Sequence, residues 1–194
     1  MQLIESLQSR DRELMNIHRH NRRINAAREA LFGCSSPIDL RELVLPPMPG
    51  IVKCRVVYDT AIREITYEPY TPRKPASLKL VYSNTVSYAY KYADRSALNA
   101  LFEQRGECDD IIIVKERRLT DSFAGNTAFY DGRTWFTPSR PLLCGTRREA
   151  LLDAGLLVEQ DIRVEDLGNF EKVSLINCMI DLGELQIPTG SIIP

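Results

Sequence analysis

Across residues 12–32 the apolar side chains Leu14, Ile17, Ile24, Ala27 and Leu31 return at helical spacing, and Gly33 follows where a C-terminal cap belongs. This stretch predicts one amphipathic helix, and such a helix needs a partner surface on which to bury its apolar stripe. The sequence downstream supplies one. Residues 51–58 and 61–70 are β-rich and meet across Asp59 and Thr60 as a hairpin would; a proline-rich loop precedes them, and Leu78–Tyr82 follows Pro72 and Pro75 as a further strand. The expected first half is one helix against a small sheet.

The second half repeats the mixture with a different rhythm. Leu98, Leu101 and Phe102 predict a helix over 96–104, stopped by Gly106. Strands are expected at 111–114, 123–130 and 135–137, the last two turned by Asp131-Gly132, a strong hairpin signal. A helix over 146–154 should end at Gly155, with strands at 158–164 and 173–176. The polar turn at Asn84-Thr85 marks the expected boundary between a small N-terminal domain, 1–84, and a larger C-terminal one, 85–194.

Composition narrows the function classes. With 194 residues, 44% hydrophobic and 26% charged, the chain reads as an ordinary globular protein. Its net charge of -1 gives no whole-chain signal for nucleic acid or an anionic membrane. No apolar run approaches the roughly 20 residues of a membrane span, and the first residues do not read as a signal peptide, so a cytoplasmic location is expected. The five cysteines include no Cys-x-x-Cys pair, and His18 and His20 fall on different sides of a helix, so neither a disulfide framework nor a metal site is expected.

Three places offer chemistry. Residues 86–92 contain one cation, Lys91, and no acid; as a strand they would put Tyr88, Tyr90 and Tyr92 on one face and leave Lys91 among Ser87 and Ala89 on the other. A partly desolvated amine is a nucleophile toward an aldehyde, although the same pattern also describes a structural lysine at a sheet edge. Cys144-Gly145-Thr146 leads from a proline loop into a helix, where free amides and a hydroxyl suit a phosphate or serve as a plain cap. In and before the first helix, Arg10, Arg12, Arg19, Arg22, Arg23 and Arg28 form a basic run that fits a phosphate ligand, RNA or simply solvent.

The order of these segments resembles the class IV aminotransferases, the fold-type IV pyridoxal-phosphate enzymes, and most closely their 4-amino-4-deoxychorismate lyase-like members. His20-Asn21-Arg22-Arg23-Ile24 looks like the family's His-x-x-Arg-Leu helix motif, and Lys91 falls where the cofactor-anchoring lysine is expected. The stretch from Leu119 through Asp121 to Asn126 resembles the segment bearing the pyridine-nitrogen acid. Gly145-Thr146-Arg147 is similar to the phosphate cup, and Asn177-Cys178-Met179 to the lyases' Asn-Ser-Leu or Asn-Cys-Leu stretch. Ile4-Glu5-Ser6-Leu7 resembles the family's Phe-Glu-Thr-Leu, without the strands usually ahead of it.

The resemblance implies an α/β (α+β) chain with a truncated N-terminal α/β sandwich, a C-terminal pseudo-barrel, and pyridoxal 5'-phosphate as cofactor. Lys91 would anchor the cofactor and act as the base; Asp121 would face the pyridine nitrogen, a methylene shorter than the family's usual Glu. Arg23, Gly145 and Thr146 would hold the phosphate, with Asn177 and Cys178 close to phosphate or substrate. Arg95 and Ser96 stand where branched-chain enzymes carry a tyrosine, which points toward a lyase releasing 4-aminobenzoate and pyruvate. A homodimer acting on a small amino substrate is implied. An aminotransferase for D-amino or branched-chain acids, or a non-enzymatic phosphate- or RNA-binding protein, are the other readings.

Overall fold

The computed structural model describes residues 1–194, which divide into two compact units. The first comprises Met1–Pro72 and Tyr90–Asp94. Its elements are β1 (Leu3–Arg10), β2 (Glu13–Leu14), α1 (Ile17–Phe32), α2 (Leu40–Leu43), β3 (Ile51–Tyr58) and β4 (Ile62–Pro69). The strands form an antiparallel sheet in the order β2-β1-β3-β4. Alternate residues of β1 and β3 point to one face, so Leu3, Leu7, Cys54 and Val56 pack with Ile24 and Ala27 of α1. Gly33 ends the helix in the left-handed region at φ 68, its N–H donating to the Glu29 carbonyl, as the sequence predicts.

Strand β1 is the element that periodicity did not reveal. Seven of its eight residues are buried, and these include Glu5, Ser6, Gln8 and Ser9, so the usual alternation of apolar and polar positions is absent.

The second unit comprises Arg73–Ala89 and Arg95–Pro194. It contains β5 (Leu78–Tyr82), α3 (Ser96–Phe102), β6 (Asp110–Lys115), β7 (Arg118–Ser122), β8 (Asn126–Tyr130), β9 (Trp135–Pro138), α4 (Thr146–Asp153), β10 (Val158–Gln160), β11 (Lys172–Ile176), β12 (Gln186–Pro188) and β13 (Ile192–Ile193). The mixed sheet runs β10-β9-β8-β7-β6-β5-β13, with β11 joined to β8 and β12. Leu80, Ile112, Val114, Phe129, Val173 and Leu175 fill its core.

One irregularity of this sheet matters for function. Strands β7 and β8 share a single residue pair, Asp121 with Asn126, whereas β8 pairs with β11 along its whole length from Asn126 to Tyr130. The sheet therefore changes partners at Asp121.

Three sequence expectations are corrected. The single cut at 84/85 does not match the division into units, because Leu78–Tyr82 pairs with β6 and β13 of the second unit while 90–94 returns to the first. The strand expected at 123–130 begins only at Asn126, since Ser122 closes a turn on Gly125 through both its N–H and its hydroxyl. The strand expected at 158–164 stops at Gln160, and a 3-10 turn starts at Val164 with the Asp166 carboxylate accepting from the Arg163 N–H. No helix is long and apolar enough to cross a membrane.

Candidate active site

Asp121 is the most desolvated carboxylate of the second unit, only 7% exposed. Its Oδ1 accepts from Asn126 Nδ2 at 2.8 Å and its Oδ2 from the Leu143 N–H at 2.9 Å. Burial drives its pKa up from 3.8 to about 6, against the two hydrogen bonds and the nearby Arg148 cation, which pull it down. Asn126 holds the arrangement together: the same Nδ2 also donates to the Leu143 carbonyl at 2.8 Å.

Gly145 lies against that amide. A Cβ on Gly145 would stand 2.1 Å from Asn126 Oδ1, so the loop passes close only because this residue has no side chain. Gly145 is also the residue that opens α4, and its carbonyl accepts from the Glu149 N–H at 3.0 Å. Thr146, buried, begins the helix, whose first N–H groups have no acceptor within the helix, an arrangement that suits an anion. Two turns of chemistry are thus joined through one side chain: the acid at Asp121 and the donor end at Gly145-Thr146 meet at Asn126.

Asn177, expected as a cofactor contact, also uses its side chain within a turn. Its Oδ1 accepts from the N–H groups of Met179 and Ile180, and its Nδ2 donates to the Ala124 carbonyl at 3.2 Å. The side chain builds the turn after β11 and fastens it to the loop after Asp121. Gly125 makes that contact possible, since a Cβ there would come within 2.5 Å of the Ile176 carbonyl oxygen. Cys178 follows in the same turn, half-buried and not in a disulfide.

Lys91 and Arg23 belong to the first unit. The segment around Lys91 is not the strand that alternation predicts. Tyr92 N–H donates to the Tyr90 carbonyl at 2.9 Å, which closes a tight three-residue turn with Lys91 at its centre. Tyr90 and Tyr92 both pack against the core cluster that includes Ile24 and Ala27 of α1, on one face as alternation expects, although the backbone between them turns. The turn is tied to β1: the Lys91 carbonyl accepts from the Ile4 N–H at 2.8 Å, Ala93 N–H donates to the Gln2 carbonyl, and Tyr92 bridges Leu3.

Arg23 is held by a residue that the helix motif alone did not point to. Its Nε and Nη2 donate to the two oxygens of Glu5, each at 2.7 Å, and His20 Nδ1 donates to Glu5 Oε2 at 2.8 Å. Glu5 is wholly buried, yet its pKa falls from 4.5 to about 2: desolvation would raise it, and the charge and fork of Arg23, with His20, more than reverse that.

Residues 55–184 match the model of the amino-transferase class IV family. The chain belongs to that family. Within it, the chain is 36% identical over 182 residues to an uncharacterized protein of Haemophilus influenzae, covering 91% of this chain and 97% of the relative. It is similar to a crystal structure of a candidate 4-amino-4-deoxychorismate lyase from Haemophilus somnus, at 29% identity and a TM-score of 0.88, covering 93% of this chain and 97% of that one. A hypothetical aminotransferase of Mycobacterium tuberculosis in its pyridoxal-phosphate-bound form shares the fold at 15% identity and a TM-score of 0.74, covering 98% of this chain and 81% of that one. The mixed α/β architecture is that of the class IV enzymes.

Three residues around the candidate site are hard to single out from the sequence. Asn126 was visible only as a neighbour of Asp121, and Arg148 not at all, because its guanidinium is buried at 5% exposure against the Pro138 carbonyl and Glu159. Glu5 left a signal: Leu3-x-Glu5-x-Leu7 alternates on one face, which places a carboxylate where a core side chain belongs.

Proposed function

We propose that this class IV chain is a pyridoxal-phosphate-dependent lyase that converts 4-amino-4-deoxychorismate to 4-aminobenzoate and pyruvate. The residues fit the cofactor on two counts. The loop at Gly145 approaches Asn126 only in the absence of a Cβ and presents the donor end of α4, as a phosphate requires. Asp121 is an acid in a dry socket, poised for a cationic partner such as a protonated pyridine nitrogen. When bound, pyridoxal phosphate supplies an aldehyde that captures amines and a ring that accepts electrons.

The chain's own residues take the remaining roles. Lys91, fixed by its carbonyl to β1, anchors the cofactor and then moves the proton at the substrate carbon that bears the amino group. Asp121, oriented by Asn126 and Leu143, holds the ring nitrogen protonated. Arg23 and the N–H groups of Gly145 and Thr146 bind phosphate, Thr146 adding its hydroxyl. Asn177 shapes the turn that carries Cys178, and the two would lie near the phosphate or the substrate.

The Asp121 socket is the observation that carries the cofactor reading; the 29% identity to a candidate lyase, with Arg95 and Ser96 in place of a tyrosine after Lys91, favours the lyase over an aminotransferase. The test is direct. Protein incubated with pyridoxal phosphate and 4-amino-4-deoxychorismate should release pyruvate and 4-aminobenzoate in equal amounts. Exchange of amino groups between D-amino or branched-chain acids and keto acids, with no pyruvate, would reassign the chain as an aminotransferase. A colourless protein that takes up no cofactor would refute both.

A further inference from the structure

We infer that Glu5 is a positioning residue for the phosphate end of the cofactor: it fixes the plane of the Arg23 guanidinium along its Nε–Nη2 edge and, through β1, sets Arg23 in register with Lys91. The inference rests on the cofactor reading above and adds to it a residue with no contact to the cofactor.

Three observations carry it. First, both oxygens of Glu5 are engaged by Arg23, at 2.7 Å each, in the paired fork geometry that fixes direction as well as distance. Second, the fork is built into the core. Glu5 is 0% exposed, and His20, 1% exposed, closes the remaining side by donating to Oε2. A carboxylate acceptor shared between a helix and a strand 15 and 18 residues apart has little freedom to move, whereas a surface arginine would sample many rotamers. Third, the residue before Glu5 holds Lys91: Ile4 N–H donates to the Lys91 carbonyl at 2.8 Å. Adjacent residues of one strand therefore set the frames of the anchoring lysine and of the phosphate arginine.

The consequence is a defect confined to one end of the cofactor. Wild type should bind pyridoxal phosphate more tightly than pyridoxal, and the ratio of the two dissociation constants measures what the phosphate contributes. Glu5→Gln keeps the shape but removes the charge that orients Arg23. It should lower that ratio at least about tenfold while changing pyridoxal affinity less than about twofold, because a misplaced ligand loses its directional bonds without disturbing Lys91. Both vitamers are titrated by equilibrium dialysis against the full chain. Equal weakening of both would mean a merely structural role and overturn the inference, as would an unchanged ratio. If Glu5→Gln is too little folded to titrate, Glu5→Asp keeps the charge and withdraws it by one methylene; its ratio should fall about fivefold, and an unchanged ratio overturns the inference. A wild type that binds neither vitamer fails the cofactor reading itself and takes this inference with it.

Discussion

Each unit of the molecule has a most deeply buried carboxylate, Glu5 in the first and Asp121 in the second, and the two behave in opposite ways. Glu5 and Asp121 are both taken out of water, yet Glu5 drops to about 2 and Asp121 climbs to about 6. Burial is the largest influence on each and pushes both upward. What separates them is the partner. Glu5 faces a guanidinium in paired contact, with an imidazole on the same oxygen; Asp121 faces neutral amides, with the charge of Arg148 acting from farther along α4. Glu5 is therefore paired with a cation, while Asp121 is hydrogen-bonded only to neutral amides and is held nearer its protonated form, as the proposed role opposite a protonated pyridine nitrogen needs.

The largest effect that can break this contrast is its pH dependence. Between pH 2 and 4.5 the unfolded chain binds more protons at Glu5 than the folded one, so Glu5 contributes about 3 kcal/mol that is present above pH 4.5 and lost on acidification. Asp121 has the opposite sign: between pH 3.8 and 6 the folded chain binds more protons, so stability falls by about 3 kcal/mol as pH rises through that window. Urea midpoints measured across pH, compared with Glu5→Gln and Asp121→Asn, should show each variant losing one slope and keeping the other. Two slopes of the same sign would break the contrast.

The catalytic side of the comparison comes next. Asp121→Asn removes the charge but retains the shape, so cofactor should stay bound while single-turnover proton transfer slows roughly a hundredfold. An unchanged rate would mean that the socket does not act on the ring. Gly145→Ala tests the socket's rigidity: a Cβ 2.1 Å from Asn126 Oδ1 must displace an amide that already bonds Asp121 and Leu143, at about 2 kcal/mol in thermal unfolding. Full stability in that variant would show that Asn126 yields freely. The smallest effect is Thr146→Ala, which leaves the backbone donors in place and should weaken cofactor retention by about 1 kcal/mol in dialysis.

Much of this was legible in the sequence where chemistry and periodicity coincide. The α1 stripe ending at Gly33, the β3–β4 pairing and the turn at Asp131-Gly132 formed as predicted, the last with Asp131 Oδ1 accepting from Arg133 and Thr134. The order of motifs carrying Lys91, Asp121 and Gly145-Thr146 pointed to the family. What stayed hidden was polar burial. Strand β1 escaped because its interior residues include Glu5, Gln8 and Ser9, and such a pattern makes sense only once α1 delivers Arg23 and His20 against it. The turn at Lys91 escaped for a related reason: alternation cannot register a hydrogen bond from Tyr92 to Tyr90. Asn177 is legible only by its position in a motif; the turn that its amide builds is not.

The account turns on the covalent anchoring of the cofactor at one lysine. Protein incubated with pyridoxal phosphate, reduced with borohydride, digested and mapped by mass should carry the phosphopyridoxyl group on the peptide containing Lys91, with Lys53, Lys74, Lys79, Lys115 and Lys172 unmodified. Absence of the group, or its attachment to one of those other lysines, would contradict the account.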